Sequence, residues 1–289
     1  ADGKTTTIYA FVLLLGYSRA MYVEFVRRCT LEVFMDCHIQ AFHYLRGTPL
    51  EILYDNMKNV VIDHCAGKPV FNMEFAHLAH HYCFQPRVAP PYSPWVKGKV
   101  ERPMDYIRER FWRGYTFSSV ERTNADVITW LNETANRRVH GTHRQPVQER
   151  WQQEINHLGK LPPVDYDTSI KVFRKVYKDC LLSYDGNRFQ VPHRVVGKRV
   201  MLKIKHNLIR IYHDQDLLAT YWQPEGKGQI IGDPRIYEAL KNDKEQLSRK
   251  YGRGKGKATR GLTTGSLYVF HRPLSEYDKY AQGGAVWNN

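Results

Sequence analysis

The sequence predicts an α/β layered domain, followed by a helical linker and then a small all-β domain. Between residues 8 and 112, short apolar runs of strand length alternate with segments whose apolar residues recur about every 3.6 positions. From Ile170 onward the apolar period changes to two, and turn signals such as Asp185-Gly186 separate the runs. The predicted domains are residues 1–115, the linker 116–165, the β-domain 166–223, and a basic tail at 224–289.

Two strands and a long helix are predicted first. Ile8 to Leu15 is an apolar run, Gly16 to Arg19 supplies a turn, and Met21 to Val26 is rich in aromatic and β-branched residues. Thr30 is placed to cap a helix. Apolar residues from Leu31 to Leu45 then recur with helical spacing, so this helix has one buried face.

Shorter elements complete the layered domain. Glu51 to Tyr54 is predicted to be a short strand that delivers Asp55, and Asn72 is placed to cap a second helix. Phe84 to Val88 is predicted to be another short strand, although a proline interrupts it. A third helix is expected from about Lys99 to Phe111, since apolar residues again recur on one face.

The linker and the β-domain follow from the change in period. Helices are predicted at about residues 125–138 and 146–158. The short strands predicted after them, together forming a small barrel, are Lys171–Val176, Leu181–Tyr184, Phe189–Val191, Val200–Ile204, Leu208–Tyr212 and Leu217–Trp222. A tract of Gly, Lys and Arg at residues 249–260 is expected to be flexible and to act through its charge.

Composition indicates an anionic partner. Lys and Arg outnumber Asp and Glu by 43 to 29 among 289 residues, which gives a formal charge of +14. Nucleic acid is the simplest such partner, and a basic protein without one is the alternative. No run approaches the roughly 20 apolar residues of a membrane span, so no membrane partner is expected. Five cysteines without a C-x-x-C pattern favour a reducing cytosol, and without an initiator Met we expect the chain to begin inside a longer protein.

Two acids carry the prediction of chemistry. Asp55 would lie at the carboxyl end of a strand, where open α/β sheets place their sites, and Glu101 would lie on the first helical turn after a basic, proline-rich loop. Two carboxylates beside phosphates can hold Mg²⁺. Each acid also has an ordinary reading. Asp55 could form an Asx turn, and Glu101 could serve only to stabilise its helix through the positive end of the helix dipole.

Several basic residues are candidates for contacts with DNA phosphates. Those near the two acids are Lys58, Lys97, Lys99 and Arg102, and those in the tail tract are Arg253, Lys255 and Lys257. A solvated side chain is the alternative for each lysine near the acids. Zinc is disfavoured because the group His77, His80, His81 and Cys83 has no second paired half.

Five segments resemble one known family. Leu14–Arg19, Tyr54–Lys58 and Lys97–Arg102 resemble the integrase-type catalytic core of DDE transposases, most closely the IstA-type transposases of bacterial insertion sequences. The segment 140–154 is similar to the linker of that family, and Arg188–Pro192 is similar to the signature of its β-barrel domain. The resemblance covers roughly residues 7–222 in consistent order.

This resemblance implies an RNase H-like core, a mixed sheet with flanking helices, whose Asp-Asp-Glu triad holds two Mg²⁺ ions, with Mn²⁺ as a possible substitute. Asp55 matches the second acid and Glu101 the third. In the family the first acid lies on a strand ahead of the hairpin at which this sequence starts. Asp2 matches a turn position instead, so we expect the first strand and its acid upstream of residue 1.

The resemblance also implies an activity and partners. The activity is metal-dependent cleavage at the 3′ ends of an insertion sequence and strand transfer into target DNA. The implied partners are transposon-end and target DNA, further copies of the same chain and an AAA+ ATPase helper, in the bacterial cytoplasm at the nucleoid. Two alternatives stay open: a catalytically incomplete DNA-binding remnant, and an RNase H-like nuclease without strand transfer.

Overall fold

The computed structural model describes residues 7–55, 57, 60–65, 68–89, 102–233, 235, 236, 238, 241 and 242. The chain divides into two compact units, Ala1–Thr168 and Ser169–Asn289. None of the described helices is long and apolar enough to span a membrane.

The described strands of the first unit form three pairs. Strands β1 (Tyr9–Leu14) and β2 (Met21–Val26) form the predicted antiparallel hairpin. Strands β3 (Glu51–Tyr54) and β6 (Gln85–Val88) pair in parallel. The predicted mixed sheet is therefore present, among the described residues, as two separate strand pairs.

A second hairpin was not predicted from the sequence. Strands β4 (Val61–Cys65) and β5 (Lys68–Phe71) pair antiparallel between β3 and the next helix. Both strands place apolar side chains in solvent, Ile62 at 61% and Val70 at 37% exposure. Because this exposure weakens the alternation of apolar and polar residues, the pattern gave little signal for a strand pair.

Within the described ranges, five helices flank these strands. Helix α1 (Leu31–Leu45) begins after Thr30 as predicted, although the Thr30 side chain makes no capping hydrogen bond. Helix α2 (Met73–His81) begins at Asn72, whose side chain accepts from the Glu74 amide. The remaining helices are α3 (residues 102–107, continued by a π-helical turn at Arg108–Trp112), α4 (Val120–Trp130, continued by a π-helical turn at Leu131–Ala135) and α5 (Val147–Ile155).

The β1–β2 hairpin lies between two hydrophobic cores. Side chains such as Leu13 and Tyr22 pack with α1 and α2, whereas Met21 and Val23 pack with α3 and α4. The alternation of a strand delivers successive side chains to opposite faces, so one hairpin serves both cores. Helix α4, which was predicted to start near residue 125, begins at Val120 because Ser119 caps it by accepting from the Arg122 amide.

Asparagine amides satisfy the outer edge of β2. The Asn136 side chain accepts from the Met21 amide and donates to the Met21 carbonyl, both at 3.0 Å. Asn124 makes the same pair of bonds to Phe25, at 2.7 and 2.9 Å. These amides stand where a neighbouring strand would stand, because a buried strand edge needs partners for its backbone groups.

A buried histidine is hydrogen-bonded to the last residue of β3. His38 on α1 is 1% exposed, its Nδ1 lies 2.8 Å from the Phe34 carbonyl oxygen, and its Nε2 lies 2.9 Å from the Tyr54 hydroxyl. A carbonyl only accepts, so Nδ1 carries the proton and Nε2 accepts from Tyr54. Burial lowers the pKa of His38 to about 4 and raises the pKa of Tyr54, so both groups are neutral at pH 7.

Helix α5 holds the turn between β1 and β2. The two Glu154 carboxylate oxygens accept from the Tyr17 amide at 3.2 Å and from the Ser18 amide at 2.8 Å. The Arg150 guanidinium donates to the Tyr17 carbonyl and lies 3.7 Å from the centre of the Tyr17 ring. The turn is therefore fixed by charged hydrogen bonds and a cation–π contact.

The described part of the second unit consists of two small sheets around one core. The strands are β7 (Ile170–Lys175), β8 (Leu181–Tyr184), β9 (Asn187–Gln190), β10 (Arg199–Lys205), β11 (Leu208–His213), β12 (Asp216–Trp222) and β13 (Ile230–Ile231). The sheet orders are β12-β11-β10-β7 and β13-β9-β8. Asp185 and Gly186 both have positive φ, which matches the predicted hairpin turn. Strand β13 lies inside residues 224–289, which were predicted to be a basic tail, and it pairs in parallel with β9.

Loss of the Asn136 amide should destabilise the first unit. Asn136→Ala leaves the buried Met21 amide and carbonyl without that partner, so we expect the free energy of unfolding to fall by about 3 kcal/mol. The matched control is Asn132→Ala, which removes one exposed hydrogen bond from Tyr44. Chemical denaturation measures both variants, and equal small effects would contradict a role for Asn136 in satisfying the β2 edge.

The free energy of unfolding should decrease as the pH is lowered, because of His38. Its pKa is about 4 when folded, below its ordinary value of 6.5, so the unfolded chain binds the proton first as the pH falls. Stability from this residue is thus complete above about pH 6.5 and declines by about 3 kcal/mol toward pH 4. We expect His38→Gln, which can donate to Phe34 and accept from Tyr54 without titrating, to flatten the decline. Unfolding curves from pH 4 to 7 test this, and parallel pH profiles would contradict it.

Candidate active site at the end of strand β3

Asp55 follows the last residue of β3 and lies in solvent. Its neighbour Tyr54 is buried and its own side chain is exposed, as strand alternation dictates. The Tyr54 carbonyl accepts from the Ala89 amide at 2.8 Å, and the Asp55 carbonyl accepts from the Met57 amide at 2.7 Å. Backbone hydrogen bonds on both sides therefore hold Asp55 at the carboxyl end of a parallel strand, as the sequence predicted.

The buried, hydrogen-bonded pair of His38 and Tyr54 helps to fix the position of Asp55. Tyr54 is held by its hydroxyl and by edge contacts with aromatic rings, including Phe75 at a centroid distance of 5.3 Å. Its carbonyl oxygen accepts from the Ala89 amide, so Tyr54 is held at both its side chain and its backbone. Because Asp55 is the next residue, these contacts also fix the position of Asp55.

Most of the other predicted site residues lie outside the described residues. This applies to Glu101, Lys58, Lys97 and Lys99, to the tail residues Arg253, Lys255 and Lys257, and to Asp2. Arg102 is described. It is the exposed first described residue of α3, next to Pro103 and Met104, which line the same groove as Asp55.

This groove lies between two of the described strand pairs of the first unit, β1–β2 and β3–β6. It has a volume of about 560 Å³ and is lined along its length by β1 on one side and β3 on the other. Strand β1 pairs only with β2, and β3 pairs only with β6, within the part of the chain that the structure describes. Apolar side chains such as Phe11, Val12 and Ile52 contribute to its walls, and Asp55 is among its lining residues.

The chemistry of Asp55 suits a hard cation. An exposed carboxylate at a fixed strand end offers the oxygen ligands that Mg²⁺ prefers. Among the residues that the structure describes, no three His, Cys, Asp or Glu side chains lie close enough together to hold a metal ion. Asp55 is the described member of the predicted pair, so its donor type fits, and the described residues alone do not complete a site.

Sequence reasoning assigned no structural role to Glu154, which also lines the groove. Arg150 and Glu154 lie in the segment 140–154, which indicated only a family resemblance. Their spacing on one helix placed Arg150 and Glu154 on the same face, which was the available signal. Glu154 lies 136 residues along the chain from Ser18, whose turn it holds, so the sequence could not identify that partner.

Two known domain families match this chain. Residues 1–94 match the integrase core domain, and residues 161–233 match the C-terminal domain of Mu transposase. The integrase core match supports the RNase H-like fold predicted for the first unit.

Proteins similar to this chain are named as transposases. A candidate transposase for insertion sequence element IS5376 of Geobacillus stearothermophilus is 35% identical over 98% of this chain and 66% of its own length. The transposase for insertion sequence element IS21 of Pseudomonas aeruginosa is 33% identical over 76% of this chain and 57% of its own length. The transposase for insertion sequences IS1326/IS1353 of the same species is 29% identical over 99% of this chain and 50% of its own length.

A solved structure gives a weaker match. A chain in the cryo-EM structure of the simian T-cell lymphotropic virus intasome with PP2A regulatory subunit B56 gamma is 16% identical, with 74% of this chain and 70% of that chain covered. The TM-score of 0.39 is too low to support an argument. This chain spans 50% to 66% of the length of the three transposases described above. The two domain matches and these relatives confirm the resemblance found in the sequence, and the chain belongs to the insertion-sequence transposases with an integrase core domain.

Proposed function

We propose that the protein is a DDE-type DNA transposase, which cuts the 3′ ends of an insertion sequence and joins them to target DNA. The observation that carries the proposal is the exposed Asp55 at the carboxyl end of β3, inside the segment that matches an integrase core. Both steps are in-line displacements at phosphorus and require no covalent intermediate with the protein. Positioning of the DNA and of the carboxylates therefore accounts for most of the catalysis.

Asp55 and Glu101 serve as the metal-binding carboxylates in this proposal. Bound Mg²⁺, as two ions, would supply positive charge that stabilises the attacking and leaving oxygens. The backbone hydrogen bonds at Tyr54 and Asp55 keep one carboxylate in place before DNA arrives. Mn²⁺ has the same preference for oxygen ligands and can substitute.

The groove between β1 and β3 accommodates the strand that carries the first acid. Its two sides are strand edges, and a strand placed between them could pair with both and join the two pairs into one sheet. The apolar walls provide burial for side chains on both faces of such a strand. The proposed source is a segment preceding residue 1, in line with relatives that are longer than this chain.

The remaining parts of the chain handle DNA and partners. Residues 1–115 form the catalytic core, 116–165 a helical linker packed on it, 166–223 a small barrel and 224–289 a basic tail. The contacts proposed for DNA phosphates are Lys58, Lys97, Lys99, Arg102, Arg253, Lys255 and Lys257. The protein would act as a homo-oligomer on paired transposon ends, with an AAA+ ATPase helper, at the nucleoid in the bacterial cytoplasm.

Substitution of either acid should abolish strand transfer. In an assay with labelled transposon-end DNA and Mg²⁺ or Mn²⁺, Asp55→Asn and Glu101→Gln in the full-length protein should each lower the rate by at least about 100-fold, because each removes a direct metal ligand. Glu109→Gln is the control, since Glu109 pairs with Arg113 on the surface. Activity that survives either acid substitution would refute the assignment. Cleavage without joined product would favour a nuclease, and binding without cleavage would favour a DNA-binding remnant.

The upstream strand should protect the edges of the groove. Amide hydrogen exchange is compared between the 289-residue chain and the chain extended by its upstream segment. We expect slower exchange in β1 and β3 of the extended chain, because their outward backbone groups gain partners. Amides of β10 and β11 in the second unit provide the control. Unchanged exchange in both β1 and β3 would rule out insertion of a strand at this groove.

A further inference from the structure

The four-stranded sheet of the second unit has one face in the core and one face in solvent. On β10 the side chains of Val200, Leu202 and Ile204 are buried, so the alternate positions point outward. The register places the outward positions of β7 and β11 on the same face. The outward positions of these three strands carry no carboxylate and six cations, which are Lys171, Lys175, Arg199, Lys203, Lys205 and Arg210.

Three of these cations form a row across the sheet. Lys203 is directly opposite Lys171 on β7 and directly opposite Arg210 on β11. Neighbouring strands lie about 4.8 Å apart, so the row is about 10 Å long. A polyanion lying along this row would place negative charge beside all three cations.

An aromatic and apolar row lies next to the cationic row. Two residues further along each strand, the register aligns Phe173, Met201, Tyr212 and Leu217. Phe173 is 55% exposed and Leu217 is 52% exposed, so this row presents apolar surface to solvent. The Arg199 guanidinium lies 5.6 Å from the centre of the Phe173 ring, and the Lys203 ammonium lies 5.6 Å from the centre of the Tyr212 ring. Cations and rings thus share one continuous face.

We propose that this face binds a single strand of DNA, with phosphates along the Lys171–Lys203–Arg210 row and unpaired bases stacked on Phe173 and Tyr212. A nucleotide holds its phosphate and its base on opposite sides of the sugar, which matches two parallel rows. Single-strand binding combines a cationic track with aromatic platforms because every base has a stackable face. Duplex DNA keeps its bases stacked internally, so it would use the cations and leave the exposed rings without a partner.

This inference adds a surface to the proposed function and rests on it only for the source of the strand, since a strand that has been cut at a transposon end can separate from its complement. Its test does not need cleavage. The full 289-residue chain with Asp55→Asn is used throughout, so loss of catalysis and loss of this binding surface are measured separately.

The first measurement is fluorescence anisotropy with labelled oligo-dT and with a duplex of equal length. Phe173→Ala should weaken oligo-dT binding about tenfold and duplex binding by less than about twofold, because one base loses its stacking platform. Lys203→Gln should reduce the slope of log affinity against log salt for oligo-dT by about 0.7. Arg194→Gln, an exposed cation outside this sheet, is the control for charge, and Tyr177→Ala, an exposed ring outside this sheet, is the control for aromatic surface.

The second measurement locates the bound strand. An oligonucleotide that carries 5-iododeoxyuridine is crosslinked by light, and the attached peptides are identified by mass spectrometry. We expect crosslinks at Phe173 or Tyr212. The proposal is overturned if crosslinks fall only elsewhere, if Phe173→Ala leaves oligo-dT affinity unchanged, or if it weakens duplex binding equally. Circular dichroism and thermal unfolding confirm that each variant is folded before binding is compared.

Discussion

The need to satisfy the edges of short strands governs the first unit. Backbone amides and carbonyls that leave water must find partners, and a two-stranded pair always has two open edges. At β2 the partners are the side-chain amides of Asn124 and Asn136, which imitate a neighbouring strand. At β1 and β3 the open edges line one groove instead. One constraint therefore explains both why the helices after residue 119 pack on the hairpin and where, among the described residues, the strand pairs stay separate.

The same need for hydrogen-bond partners of buried polar groups connects the core to the candidate site. His38 sits among aromatic rings, where an unpaired imidazole would be costly, and its two nitrogens are used by Phe34 and Tyr54. Because Tyr54 is the residue before Asp55, the core chemistry and the position of the exposed carboxylate share one strand. Core packing and site geometry cannot be altered independently at this point.

Sequence patterns predicted the elements better than their partners. The α1 stripe, the short β3 strand with Asp55 at its end, the Asn72 cap and the hairpin at Asp185-Gly186 all depend on local rules, and each is present. The β4–β5 hairpin was missed because its exposed Ile62 and Val70 disturb the alternation. Contacts between residues more than 100 positions apart along the chain, such as Asn136 with Met21 or Glu154 with Ser18, have no local signature. The family resemblance supplied the expectation that Asp55 and Glu101 are the second and third acids, an assignment that spacing alone left ambiguous.

The π-helical turn at Leu131–Ala135 has a consequence for how this protein tolerates insertions and deletions. Its last hydrogen bond joins the Asn136 amide to the Leu131 carbonyl, five residues apart, instead of the four of an ordinary turn. The turn contains one residue more than α-helical winding needs, and each residue rotates the helix by about 100°. Deleting one residue there would restore α-helical winding with Asn136 four residues after Leu131, so its side chain would turn by much less than the roughly 100° that one residue adds to an α-helix. The wide turn therefore absorbs one residue while the Asn136 amide keeps facing Met21, and we expect lineages of this fold to differ by one residue in length here more readily than inside α4.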